Sequence, residues 1–257
     1  MKTIVYQSFR THDVPNWINV CMDTVKTWAA KNQYDYVFID DELFNKVPDW
    51  YRQKVNSQIH LVSDLARLNL AREYLDKEFD RAIWIDADVV IFDQENFQLP
   101  QHQGYSFSRE VYVWSDRNQQ LKMQRRVNNA VMYMDKGNHF LPFYIESCMN
   151  MIKSREEFRH TLVGTDFLSA VNHYYPIDHI HSMGLFSPLL TQNIIARSGP
   201  ALDIFCQHFA HPIYAANLCL TFRSRNRLKD RTYSQVIDDL ISSKGEWLNE
   251  RMQHLTI

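Results

Sequence analysis

The stretch Arg81-Ala-Ile-Trp-Ile-Asp-Ala-Asp-Val-Val90 runs five residues of strand chemistry straight into two carboxylates separated by one small residue. Apolar side chains over Ala82 to Ile85 predict a buried strand, Arg81 to Ile85. In an alternating backbone, residues two apart share a face, so Asp86 and Asp88 point the same way. Two unpaired carboxylates this close repel each other, and a divalent cation with hard oxygen ligands relieves the repulsion. Asp-x-Asp by itself is also ordinary turn chemistry. The apolar run that drives into it sharpens the metal reading.

Upstream, Ser63 is a plausible N-cap for a helix reaching about Lys77. At about 100° per residue, Leu68, Ala71, Tyr74 and Leu75 fall on one arc, and Asp64 and Arg67 fall inside it. The core-facing side therefore carries two charges. This helix, roughly 22 Å long, runs antiparallel to the strand that follows, so its first turn lies beside that strand's far end. Asp64 and Arg67 then approach Asp86 and Asp88. The competing explanation, a self-satisfied i, i+3 pair at a helix start, does not account for that convergence.

Nearer the N-terminus, residues 2 to 6 read as a strand ending in Gln7, Ser8, Phe9 and Arg10. A helix beginning at Pro15 and closing near Lys31 follows, then a buried strand over Tyr34 to Ile39 that runs into Asp40 and Asp41. Strand, helix, strand at this length is a parallel crossover unit. Beyond residue 105 the pattern is mixed. Tyr105 to Ser108, Val111 to Trp114 and Ala130 to Met134 look like strands, among helices near 139 to 153 and 165 to 174. The fold class is thus α/β: a mainly parallel central sheet flanked by helices, with α+β elaboration in the C-terminal half. Ligands of such sheets bind beyond the carboxyl ends of the strands, which directs Gln7 to Arg10, Asp40 to Asp41 and Asp86 to Asp88 toward one crevice.

The 257 residues, 45% hydrophobic, suffice for one large core, and a single domain over 1–257 is expected. A formal net charge of -2 on 23% charged residues selects no polyanionic partner, so nucleic acid is not expected. Cys21, Cys148, Cys206 and Cys219 show no metal-type spacing and fit a reducing compartment. The opening residues turn polar too early for a signal peptide, and no run reaches a membrane-spanning length. A cytoplasmic location is expected, with any membrane association peripheral. To complete a carboxylate metal site, Cys206-Gln207-His208-Phe209-Ala210-His211 offers two imidazoles; His208 is the candidate, and His211, before Pro212, is read as an ordinary histidine. Arg223, Arg225, Arg227, Lys229 and Arg231 read as a solvated basic face that could also fold over phosphates.

Taken in order, these segments resemble the glycosyltransferases with a DXD sugar-binding region, a group that includes fungal initiating mannosyltransferases and bacterial capsular enzymes, with clostridial glucosylating toxins as distant relatives. Ile4-Val-Tyr-Gln-Ser-Phe-Arg10 is similar to that family's opening strand, Ser63-Asp-Leu-Ala-Arg67 to its Ser-Asp-x-x-Arg signature, Trp84 to Asp88 to its DXD strand, and Asn129-Ala-Val-Met to a later strand. The family's Gly-Gly-Ile-Tyr is replaced here by Asp76-Lys-Glu-Phe-Asp-Arg-Ala-Ile-Trp84. That segment, Gly164-Thr-Asp-Phe-Leu and His208-Phe look more like the neighbouring glycogenin-like galactosyltransferases.

The resemblance implies a GT-A, Rossmann-like fold, with residues 1–100 as the nucleotide-binding half and 101–257 as the acceptor side. It implies metal-dependent, retaining transfer of a hexose from a UDP- or GDP-sugar to a saccharide or other hydroxyl acceptor, in polysaccharide biosynthesis. Gln7, Ser8, Asp64, Arg67 and Asp86 would hold the donor, and Asn129 would line the sugar pocket. Asp86, Asp88 and His208 would carry Mn²⁺ or Mg²⁺, and Asp166 would be the acceptor-side carboxylate. Two alternatives remain at this stage. One is a phosphatase of the haloacid-dehalogenase type, with Asp86 as nucleophile, Asp88 as acid, and Lys136, Asp238 and Asp239 as the other parts it needs. The other is a sugar-binding protein without catalysis.

Overall fold

The first strand, β1 (Thr3–Ser8), is buried along almost its whole length because it has a neighbour on each side. The computed structural model, which describes residues 1–56, 58–209, 211–220 and 228–255, pairs β1 in parallel with β2 (Asp35–Ile39) and with β3 (Arg81–Ile85). Helix α1 (Asn16–Lys31) leads from β1 to β2. A 3₁₀ turn (Asp41–Lys46), α2 (Asp49–Val55) and α3 (Ile59–Lys77) lead on to β3. Strand order therefore reverses at β1, which opens a crevice at the carboxyl ends of β1 and β3.

Past β4 (Val89–Ile91), a long antiparallel ribbon of β5 (Tyr105–Ser115) and β6 (Leu121–Asp135) joins the sheet through β6, antiparallel to β3. After α4 (Phe140–Lys153), a π-helical turn (Leu162–Asp166) and α5 (Phe167–Tyr174), the short β7 (His179–Ile180) adds in parallel to β5. Among the described residues the order is β2-β1-β3-β6-β5-β7, a mixed sheet with parallel pairing concentrated around β1. A smaller sheet follows: β8 (Met183–Leu185) lies parallel to β9 (Ala215–Asn217), and β9 antiparallel to β4. Between them come α6 (Pro188–Ile195) and α7 (Pro200–His208); α8 (Asp230–Ser243) and α9 (Glu246–Leu255) end the described chain.

Alternation along each strand divides the core. Tyr6, Trp84 and Met132 face α3 and α4, where Leu65, Leu68 and Tyr144 pack. Val5, Ile83 and Val131 face the other way, onto Val25, Trp28 and Phe97. Val111 and Val113, farther along β5, pack with Phe186, Phe205 and Leu240 of the C-terminal helices.

Two sequence expectations change in detail. The segments at 105–108 and 111–114 form one continuous strand, and β6 begins at Leu121 rather than Ala130. Helix α3 starts at Ile59, so Ser63 is not its cap. It sits in the second turn, where its hydroxyl accepts from Arg67 Nη2 (3.2 Å). The physical reason is that Leu61 and Val62 are themselves buried, and helix formation extends back to cover them. Arg223, Arg225 and Arg227 lie outside the described residues. Lys229 precedes α8 and Arg231 stands exposed in its first turn.

Candidate functional site

Residues two apart on β3 share a face, and one turn of α3 packs over that face; together these facts assemble the site. Arg67 and Asp64, each 6% exposed, come off α3 toward the end of β3. The Arg67 guanidinium lies 3.1 Å from Asp86 Oδ1 and 3.3 Å from Asp64 Oδ1. Its Nη1 also donates to the Asn129 carbonyl (3.0 Å) and its Nε to the Ser63 carbonyl (3.3 Å). The same guanidinium sits over the Trp84 ring at 4.6 Å. Below it, the Tyr6 hydroxyl donates to the Arg67 carbonyl (2.9 Å), tying α3 to β1. A buried arginine compensated by two carboxylates and two carbonyls is held in one orientation, since removing the carboxylates would leave a buried charge unpaired.

Asp86 Oδ1 receives a second donor, the Trp84 indole N–H at 2.6 Å. Asp86 has 27% of its side chain exposed, and its other oxygen has no donor among the described residues. Gln7 Nε2 reaches the Asp86 carbonyl (3.3 Å) while the Tyr36 hydroxyl donates to Gln7 Oε1 (3.0 Å). Ser8 turns instead to the Asp40 carbonyl (3.2 Å). Asp88 is gripped from β9 and the residues after it: Asn217 Nδ2 donates to Oδ1 (2.8 Å) and the Leu220 amide to Oδ2 (2.7 Å). Burial, with Asp86 adding to it, pushes the Asp88 carboxyl up to about 7. Burial also raises Asp64 and Asp86, against the opposing pull of Arg67. Carboxylates that resist ionisation this way suit a cation, which would remove the repulsion.

Asn129 completes the Asp64 side. A register shift between β5 and β6 at Phe107/Ser108 sets residues 129 to 131 apart from the regular ladder, and Asn129 Nδ2 donates to Asp64 Oδ1 (2.8 Å). Gly164, in the π-helical turn, comes so close that a Cβ there would stand 2.8 Å from Asp64 Oδ2. Two residues on, Asp166 accepts from Thr161 Oγ1 (2.8 Å) and lies 3.7 Å from Arg159. It is adjacent in sequence to that close approach, but its contacts are local.

His208 is not brought to the aspartates. Its ring Nδ1 lies 3.1 Å from Arg125 Nη2 at the end of α7, and among the described residues no three His, Cys, Asp or Glu side chains gather as a metal-binding group. The side chain that does reach Asp88 is Asn217, whose Nδ2 donates to it while its Oδ1 accepts from the Cys219 amide (2.9 Å). The parts a phosphatase would need are equally remote: Lys136 follows Asp135, which pairs with Arg81 at the opposite end of β3, and Asp239 pairs with Arg197 and Trp247. An open cleft of about 510 Å³ between the 3₁₀ turn, α3 and α4, lined by Asn45, Lys46, Arg72 and Glu73, contains none of the site residues. Trp84 and Asn217 are the contributors that sequence reasoning passed over. Trp84 shares the parity of Asp86, a usable signal; Asn217 is brought in by chain reversal and carries none.

No family model matches the chain, and no curated protein matches it. Among solved structures it is similar to a glycosyltransferase involved in the glycosylation of the major capsid of PBCV-1, with a TM-score of 0.49 and 10% identity over 91% of this chain and 99% of that one. It is also similar to A197 from STIV, with a TM-score of 0.25 and 13% identity over 57% of this chain and 68% of that one. What the fold and site define directly is a mixed α/β protein with a carboxylate–arginine cluster at the carboxyl ends of its parallel strands.

Proposed function

We propose that this chain is a metal-dependent glycosyltransferase that moves a hexosyl group from a UDP- or GDP-sugar to a hydroxyl of a saccharide acceptor, retaining the anomeric configuration. The observation that carries this reading is the Arg67 guanidinium shared by Asp64 and Asp86 beside Asp88, at the strand-order switch of the sheet. Asp86 and Asp88 would hold Mn²⁺ or Mg²⁺, whose chemistry is to neutralise charge building on a departing nucleoside diphosphate. Arg67, balanced by its own carboxylates, orients rather than neutralises: it fixes Asp64 and Asp86 relative to each other. Asp64 and Asn129 offer hydrogen-bonding atoms for sugar hydroxyls, and Gln7 steadies the backbone from which Asp86 projects. Asp166 is the carboxylate proposed on the acceptor side. Holding donor and acceptor in line is the larger part of what such a site contributes to rate.

The test is hydrolysis and transfer of UDP- and GDP-sugars with and without Mn²⁺. Turnover should require the metal and fall at least about 100-fold in Asp88→Ala, the scale on which single electrostatic groups act. Metal-independent turnover unchanged in Asp88→Ala would overturn the assignment.

A further inference from the structure

A second cluster, on the β5–β7 side of the molecule, has no role in the reading above. Arg109 and Arg125, on β5 and β6, both engage the last residue of α7: Arg109 Nη2 donates to the His208 carbonyl (3.2 Å) and Arg125 Nη2 meets His208 Nδ1 (3.1 Å). Neither guanidinium forms an ion pair among the described residues, whereas Arg52, Arg67, Arg81, Arg126, Arg197 and Arg251 each do. Arg109 is held below the usual guanidinium range, by burial first and by Arg125 second. Two imidazoles, His179 and His181, lie close enough to feel its charge, and His211 adjoins His181. His179 and His181 have ring centres 5.9 Å apart, and His181 and His211 4.3 Å apart.

The buried Nδ1 atoms of both His179 and His181 have no hydrogen-bond partner among the described residues. The carboxylate next in sequence, Asp178, is 73% exposed and pairs with His102. Two adjacent guanidiniums without a carboxylate counter-charge among the described residues carry a free-energy cost, which a bound oxyanion would offset.

We propose that Arg109, Arg125 and the imidazoles of His179, His181 and His211 form an oxyanion subsite separate from Asp86 and Asp88. On the reading of the chain as a glycosyltransferase, it takes a phosphate or carboxylate group carried by the acceptor. Two guanidiniums with unfilled donors match the paired oxygens of such a group, and neutral imidazoles can turn an N–H toward it without adding further charge.

The experiment begins with inorganic phosphate titrated calorimetrically into the whole protein, with glucuronate in a parallel arm and glucose as the neutral control. Phosphate or glucuronate should bind at one site and glucose should not. Affinity should fall at least about tenfold in Arg109→Gln and in Arg125→Gln, and stay unchanged in Asp88→Asn. Histidine ring resonances should move on phosphate addition. Arg125 is exposed, so its variant keeps the fold, which a thermal melt checks. Absence of anion binding, binding that survives both arginine substitutions, or binding abolished by Asp88→Asn would each overturn the subsite.

The two anions separate the sources: preference for phosphate assigns a phosphorylated acceptor, and preference for glucuronate a uronic acid. An acceptor role reads out separately: KM for an anionic acceptor should rise in Arg125→Gln, and KM for its neutral counterpart should not. If the chain transfers no sugar, the transferase reading fails while the phosphate titration still decides the subsite.

Discussion

Asp86 is the residue on which the site's geometry turns, because its two oxygens are treated differently. One accepts from both Trp84 Nε1 and Arg67 Nη1; the other has no donor among the described residues. Trp84→Phe keeps an aromatic ring at this position but deletes the N–H together with part of the indole. It should reduce kcat/KM about tenfold, or ~1.4 kcal/mol, the scale of one hydrogen bond to a charged group. Its melting temperature should shift by only a few degrees, and wild-type kinetics would show that the indole N–H plays no part. Gly164 is constrained by its neighbour. Gly164→Ala forces a methyl against Asp64 Oδ2, so donor affinity and melting temperature should both fall in a thermal-shift titration. An undisturbed variant would mean that the turn moves away freely.

The elements that hold these residues differ in reach. The short β9 delivers Asn217 to Asp88 across 129 residues of chain. Asn217→Ala leaves Asp88 Oδ1 without that donor, a loss of about 1–3 kcal/mol. That should lower the melting temperature by several degrees and weaken Mn²⁺ affinity together, whereas a drop in stability alone would assign Asn217 a purely structural role. On β7 and the turn after it, burial, with His211 and His179 adding to it, lowers His181 to about 4 from an ordinary 6.5. The unfolded chain then binds more protons than the folded one between those values. Stability should rise as pH increases from about 4 to about 6.5, with that part of the rise missing in His181→Asn. Melting temperatures across pH for the two proteins, compared in phosphate-free buffer, measure it. Equal slopes would remove His181 from the account.

Across the whole molecule, β3 runs between two buried arginine systems of different kinds. At its start Arg81 forms a two-pronged pair with Asp135 (2.6 and 2.9 Å), caps the Pro100 and His102 carbonyls, and lies 4.0 Å over the Tyr133 ring. At its other end stands the Arg67 cluster. Arg81→Met strands a buried carboxylate at about 3–5 kcal/mol, which should lower the melting temperature by roughly 10 °C. Because Arg81 sits at the far end of β3 from Asp86, kcat at 25 °C should hold; loss of both would mean that the two ends are coupled. The α/β alternation, the β1–α1–β2 and α3–β3 units, and the meeting of Asp64 and Arg67 with Asp86 were legible in the sequence alone. They follow from local periodicities, 3.6 for a helix and 2 for a strand, applied to neighbouring segments. The partners of Asp88, the displacement of Asn129 by the register shift, the approach of Gly164, and the separation of His208 from the aspartates were decided only by the tertiary structure. Each depends on contacts between segments far apart in the chain, whose relative placement is set by how the whole core packs and not by any local pattern of residues.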